Sequence, residues 1–179
     1  MDRRLLKATA RVAHVSLQGQ VTAERFAEGE TLRLVVPLSD LCRTPFGARE
    51  RQLVTGEAFT VLDRDQGHAF GFAQKDGYCG WLADAALGAA PEPSHVVVSS
   101  GTHAYADPRV QSAETLLPAG ALVTVTGAAG SFAETNLGLV PAVHLRAIGD
   151  WPDDPVAVAE QFLGTPYLWG GNSRAGIDC

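Results

Sequence analysis

Glycines recur through the middle of this chain at two closely similar spacings, and that recurrence limits the possible folds more than any other feature. Gly56, Gly67, Gly80, Trp81 and Leu87 punctuate one stretch, and Gly120, Gly130, Gly138, Leu139 and Leu145 punctuate a second. The offset falls from 64 residues, at Gly56 and Gly120, to 58 at Leu87 and Leu145, so one loop is shorter in the second copy. Between the marks lie short runs rich in β-formers, AFTVLD (58–63), AFGFAQ (69–74) and YCGWLA (78–83), matched later by ALVTVTG (121–127) and LGLVPA (137–142). Short apolar runs bounded by turn residues read as strands joined by hairpins. Self-similarity at a fixed period reads as two copies of one supersecondary unit. Each copy is expected to be a small, strongly bent β-barrel.

Two joints divide the chain. GAAPEPSH (88–95) is a Pro-rich connection between the repeats, and IGDWPDDP (148–155) precedes a change of texture. Asp154 followed by Pro155 is a helix start, a capping side chain and then a residue whose missing N–H is harmless at the first position. The run VAVAEQFLG then places apolar residues at 156, 159, 162 and 163, closed by Gly164. The expected organisation is an N-terminal extension over 1–30, a first barrel over 31–90, a second over 95–148 and the start of a helical domain over 152–179. No firm reading attaches to the extension.

Charge narrows the function. Twenty acidic side chains face 14 basic ones, and no stripe of Lys or Arg is present that would neutralise a phosphate backbone, so nucleic acid is excluded as a partner. The N-terminus begins with basic residues but has no uninterrupted apolar region or small-residue cleavage site, so it does not read as a signal peptide. No window approaches the run of about 20 apolar residues that a membrane span requires. A cytoplasmic location without membrane association is expected. Cys42, Cys79 and Cys179 show no CxxC spacing. Cys42 and Cys79 read as small buried hydrophobes in a reducing compartment, and no metal or cofactor is expected.

The string KDGYCGWLADAAL (75–87) resembles the closing strands of a bacterial SH3 module, with an Asp-Gly turn, an aromatic residue, Gly-Trp and a short helical turn ending in Leu. Tyr78 and Trp81 fit either a core or the wall of a groove. Where such modules often carry Gly-Trp before the hairpin, this chain has Gly67-His68, so one aromatic wall is expected to be missing. The second copy has Leu137 and Leu139 in place of the Tyr and Trp of the first.

GTPYLWGGNSRAGIDC (164–179) is more specific. A short helix, Gly-Thr-Pro-Tyr-x-Trp-Gly-Gly, a polar turn and Gly-x-Asp-Cys together resemble the entry to the papain-like catalytic domain of the NlpC-type cysteine peptidases. The implied fold class is mainly β: two SH3-like β-barrels followed by the opening helix and loop of an α+β papain-like domain. The resemblance implies that Cys179 is the nucleophile. It also implies that a catalytic histidine, its orienting residue and most of a sheet lie downstream, so the complete protein is expected to be longer. His14, His68, His95, His103 and His144 read as surface or turn residues.

The same resemblance suggests a substrate. SH3 pairs ahead of such a domain occur in γ-D-glutamyl-L-diamino acid peptidases, which cut peptidoglycan stem peptides between D-Glu and diaminopimelate. It implies substrate contacts from Asp178, Tyr167 and Tyr78 around the free amine of an N-terminal L-Ala, and an acidic side chain from the SH3 module that matches no single residue here. A helix N-terminus and a nearby imidazolium would lower the pKa of a thiol from about 8.5 and create the attacking thiolate. Gly170, Gly171 and Gly176 are expected to allow a tight backbone path beside it. The competing reading is a non-catalytic SH3 pair that binds wall peptide or a partner protein. The sequence does not decide the oligomeric state.

Overall fold

Strands dominate the computed structural model, which describes residues 2–179. The chain divides into two compact units, Met1–Leu53 with Glu57–Ala89, and Val54–Gly56 with Ala90–Cys179. Among the described residues, no helix is long and apolar enough to cross a membrane.

In the first unit seven strands lie in the order Arg49–Val54, Leu38–Cys42, Cys79–Ala83, His68–Ala73, Ala58–Asp65, Glu30–Leu34 and Leu87–Gly88. The central hairpin turns at Gln66 and Gly67, with φ of 49° and 75° between the paired Asp65 and His68. Two successive positive φ values are the backbone of a type I′ turn, whose twist matches the flanking strands. Phe59 to Asp63 are buried without a break. A strand buried on both faces needs a core on each. One holds Phe59 and Val61 with Leu34, Leu41, Leu53 and Leu82. The other holds Leu62 with Phe70, Phe72, Cys79 and Trp81, and is completed by Val12.

Val12 explains the N-terminal residues. The strand Val12–His14 pairs in parallel with Arg25–Ala27, and Val12 and Ala13 are fully buried. Arg11 and Arg25, just before these strands and at their edge, both reach Asp63, whose side chain is only 6% exposed. Arg25 Nη2 donates to Oδ1 at 2.7 Å, and Arg11 Nε stands 3.0 Å from Oδ2. A buried carboxylate is tolerated when cations accompany it. Here the early segment supplies both. Through Val12 and Ala13 the early segment thus enters the unit's core.

The second unit repeats the succession. Ala58–Asp65, His68–Ala73, Cys79–Ala83, the 3₁₀ turn Asp84–Ala86 and Leu87–Gly88 find their counterparts in Val125–Ala129, Phe132–Thr135, Gly138–Pro141, the 3₁₀ turn Ala142–His144 and Leu145–Ala147. The shortened loop is the second hairpin, where Asn136 and Leu137 alone link two strands. Five strands pair in the order Glu114–Pro118, Gly101–Tyr105, Gly138–Pro141, Phe132–Thr135 and Val125–Ala129. A further three-stranded sheet places His95–Val97 between Leu122–Val123 and Leu145–Ala147. The core is small: Val97, Ala104, Leu117, Ala121, Val123 and Val140, with Leu137 and Leu145 against it.

The helix begins where the sequence places it and stops sooner. It spans Pro155–Glu160, and Asp154 Oδ1 accepts from the N–H groups of Val156 and Ala157 at 2.9 and 3.1 Å. Beyond Glu160, Phe162, Leu163 and Thr165 donate to the carbonyls three residues back, so the apolar run continues as tight turns to Gly164. Val156 and Leu163 are exposed.

Candidate active site

After Gly164 the chain folds back on itself. Tyr167 bridges Ile177 in parallel, and the two-residue strands Asn172–Ser173 and Gly176–Ile177 form a minimal hairpin. Leu168 N donates to Ile177 O at 3.0 Å, Ile177 N to Pro166 O at 3.1 Å, and Asp178 N to Gly171 O at 3.1 Å. These bonds bring the Tyr167 end of the motif beside Asp178 and Cys179. Glycine is required for the approach. A Cβ on Gly171 would stand 2.5 Å from Gly176 O, and one on Gly176 would stand 2.5 Å from Leu168 Cβ. Gly170 takes φ of 66°.

Asp178 is the centre of the cluster. Its Oδ2 accepts from Gly170 N at 2.7 Å and its Oδ1 from Cys179 N at 2.9 Å. These backbone donors, with the Tyr167 phenol, hold the carboxyl below its usual range and keep it ionised at neutral pH. The Tyr167 phenol is pushed up by desolvation and by the adjacent Asp178 carboxylate. Cys179, Tyr167 and Trp169 are exposed, the two rings at 61% and 62%. Beside them a concavity of about 210 Å³ is lined by Phe162, Gly171, Ser173, Ile177 and Asp178. Arg174, next in sequence to Ser173, donates from Nη1 to Ser100 Oγ at 2.8 Å and to Gln161 O at 3.3 Å.

Of the four residues singled out from sequence, Tyr167, Asp178 and Cys179 therefore form one group. Tyr78 belongs to the other unit. It follows the Asp76-Gly77 turn, where Asp76 Oδ1 accepts from Tyr78 N at 3.1 Å. Its ring packs partly against the barrel core, with the Arg51 guanidinium 5.3 Å from the centroid. Desolvation and the nearby Glu50 push its phenol up. Glu50 is ion-paired with Arg3 and Asp76 with Arg51. Sequence reasoning missed this collar of charge because its members lie far apart along the chain. Two histidines of the second unit are engaged elsewhere: His95 Nδ1 lies 2.9 Å from Ser94 Oγ, and His144 Nδ1 lies 2.8 Å from Thr102 Oγ1.

Trp81 is mainly core, 9% exposed and 5.3 Å from Phe70 between ring centroids. It also contributes to a groove of about 530 Å³ with Asp40, Cys42 and His68. Phe46 stands against His68 with ring centroids 4.3 Å apart, edge to face. Among the described residues no cluster of three His, Cys, Asp or Glu side chains is placed to hold a metal.

The fold and the cluster together define a mainly β protein of antiparallel, strongly bent sheets leading into a glycine-rich loop that presents an exposed thiol beside an ionised carboxylate. Comparison makes the likeness more particular. Residues 41–87 match the family model described as the bacterial dipeptidyl-peptidase SH3 domain. No curated protein matches the chain. Among solved structures, an NlpC/P60 family protein from Bacillus cereus ATCC 10987 aligns with a TM-score of 0.71 at 18% identity, covering 84% of this chain and 69% of that one. At that identity the likeness is one of fold. NlpC2 and NlpC1 from Trichomonas vaginalis align over 79% and 71% of this chain at 16% and 15% identity, with TM-scores of 0.30 and 0.31. The chain spans 58% and 49% of their lengths.

Proposed function

We propose that this protein is an NlpC-type cysteine peptidase that cleaves the γ-D-glutamyl to diaminopimelate bond of peptidoglycan stem peptides with a free N-terminal L-Ala. The observation that carries the reading is the Tyr167–Asp178–Cys179 group, an exposed thiol adjoining an ionised carboxylate on a loop that glycines allow to close. The SH3-domain match and the NlpC/P60 fold likeness support it.

In this reading the Cys179 thiolate adds to the γ-carbonyl, and the diaminopimelate amine leaves with a proton from a histidine contributed by sequence after Cys179. Water then hydrolyses the thioester, with the same histidine as base. Asp178, with Tyr167 beside it, pairs with the ammonium of L-Ala. Stems still attached to glycan have that nitrogen in an amide, so the site accepts only stems already released, as suits peptide recycling in the cytoplasm. The first SH3-like module contributes Tyr78 to the substrate, and no metal or cofactor takes part.

The test compares the free tripeptide L-Ala-γ-D-Glu-diaminopimelate with its N-acetylated twin, using the enzyme with its downstream sequence. The free peptide is expected to be cleaved faster by about a hundredfold or more, because acetylation removes the charge that the carboxylate was placed to meet. Asp178→Asn should erase most of that preference. Cys179→Ala should abolish turnover while Cys42→Ala and Cys79→Ala retain it, and Tyr78→Phe should raise KM. Equal cleavage of both peptides would remove the amine gate, and binding without any cleavage would favour a non-catalytic SH3 pair.

A further inference from the structure

The peptidase reading leaves the outer face of the second unit's five-stranded sheet unused. Thr102, Ala104, Leu117, Ala133 and Val140 are buried, so the residues alternating with them point to the opposite face. Strand register sets Glu114, Tyr105, Leu139, Glu134 and Gly127 in one row across all five strands. A carboxylate thus stands on each side of an apolar centre. Neighbouring positions add His103 opposite Leu116 and Phe132 opposite Pro141. The Tyr105 ring lies 6.0 Å from His103 and 6.2 Å, edge on, from Phe132. Leu116 is 49% exposed. A Cβ on Gly127 would meet Glu134 Oε2 at 2.4 Å, so the missing side chain lets this glutamate lie across the neighbouring strand.

Charge identifies the occupant. Residues 90–179 carry nine Asp and Glu against three Arg and no Lys, whereas residues 1–89 carry eleven of each sign. The whole formal charge of −6 therefore resides in the second half of the sequence. A second copy of so acidic a surface would be repelled, and a cation attracted.

We propose that this face docks an extended cationic peptide, with one basic side chain over Glu114, another over Glu134 and an apolar residue between them on Tyr105 and Leu139. Glu114 and Glu134 stand three strand spacings apart, about 14 Å at the usual ~4.8 Å per spacing. An extended chain covers that distance in about four residues, and positions i, i+2 and i+4 of such a chain share one side. The pattern is basic-x-apolar-x-basic. The Tyr105 ring adds a face on which an ammonium or guanidinium can rest.

The test titrates fluorescently labelled Lys-Ser-Leu-Ser-Lys into the full chain and follows anisotropy at low and moderate salt. Saturable binding that weakens with salt is expected. Glu114→Gln and Glu134→Gln should each weaken it by about fivefold and Tyr105→Ser by about tenfold. Unchanged melting temperatures would show that these variants fold. The Glu-Ser-Leu-Ser-Glu analogue should not bind, and Lys-Leu-Ser-Lys, with its charges one residue closer, should bind less well. Cys179→Ala should leave every value unchanged, so failure of the peptidase reading and failure of this one are distinguishable. No binding by the wild type, or affinity untouched by all three variants, would overturn the proposal. Concentration-dependent dimers lost in Tyr105→Ser would instead assign the face to a second copy.

Discussion

Asp178 and Cys79 show how surroundings give similar small groups opposite roles. Asp178 collects two backbone N–H groups and a phenol, which stabilise its charge and fix the loop beside Cys179. Cys79 sits among Leu62, Phe70, Phe72 and Trp81, where burial pushes its thiol up to about 11. A thiol so placed is inert, because the thiolate is the reactive form. Iodoacetamide at pH 8 should therefore label the exposed Cys179 quickly and Cys79 only on unfolding, as peptide mass mapping would show. The same shift sets a pH dependence. With its folded value raised, Cys79 stays protonated where the unfolded thiol has ionised. Its contribution is full below the unfolded value and falls as pH rises towards about 11. Thermal melts from pH 8 to 11 should show that decline, and Cys79→Ala should flatten it.

At the scale of elements, the repeat was legible because glycine positions are set by backbone geometry, which local sequence records. Gly67 and Gly71 record different demands. Gly67 occupies a turn at φ of 75° with open space around it, whereas a Cβ on Gly71 would stand 1.9 Å from Thr60 O of the paired strand. Gly67→Ala should cost about 1 kcal/mol from backbone strain alone. Gly71→Ala should cost on the order of 3 kcal/mol, because the strands must part to admit the methyl group. Urea denaturation separates the two. The helix start was equally legible, since Asp154 and Pro155 act within one turn. Its end was not: nothing in VAVAEQFLG stops a helix at Glu160, and the tight turns beyond are set by the bonds Phe162, Leu163 and Thr165 make.

At the scale of the whole molecule, the N-terminal residues close the first unit through ionic contacts that no local pattern announces. Asp63 is buried, while Arg11 and Arg25 are about half exposed. Removing the arginines strands a buried carboxylate; removing the carboxylate leaves two guanidinium groups that water can reach. Arg11→Ala with Arg25→Ala should therefore destabilise by about 3 to 5 kcal/mol, and Asp63→Asn by less. Calorimetric melting of the variants checks the order, and a larger loss from Asp63→Asn would refute the account. By itself the sequence determined the mainly β class, the repeated succession of strands and the helix start, because turn chemistry and alternation act over a few residues. Only the tertiary structure decided that Val12 completes a core, that Asp63 needs two distant arginines, that Phe46 stands against His68 and that Glu114 and Glu134 share a row. Those relations join residues far apart in the chain, and their energies exist only once strand register and burial have brought the partners together.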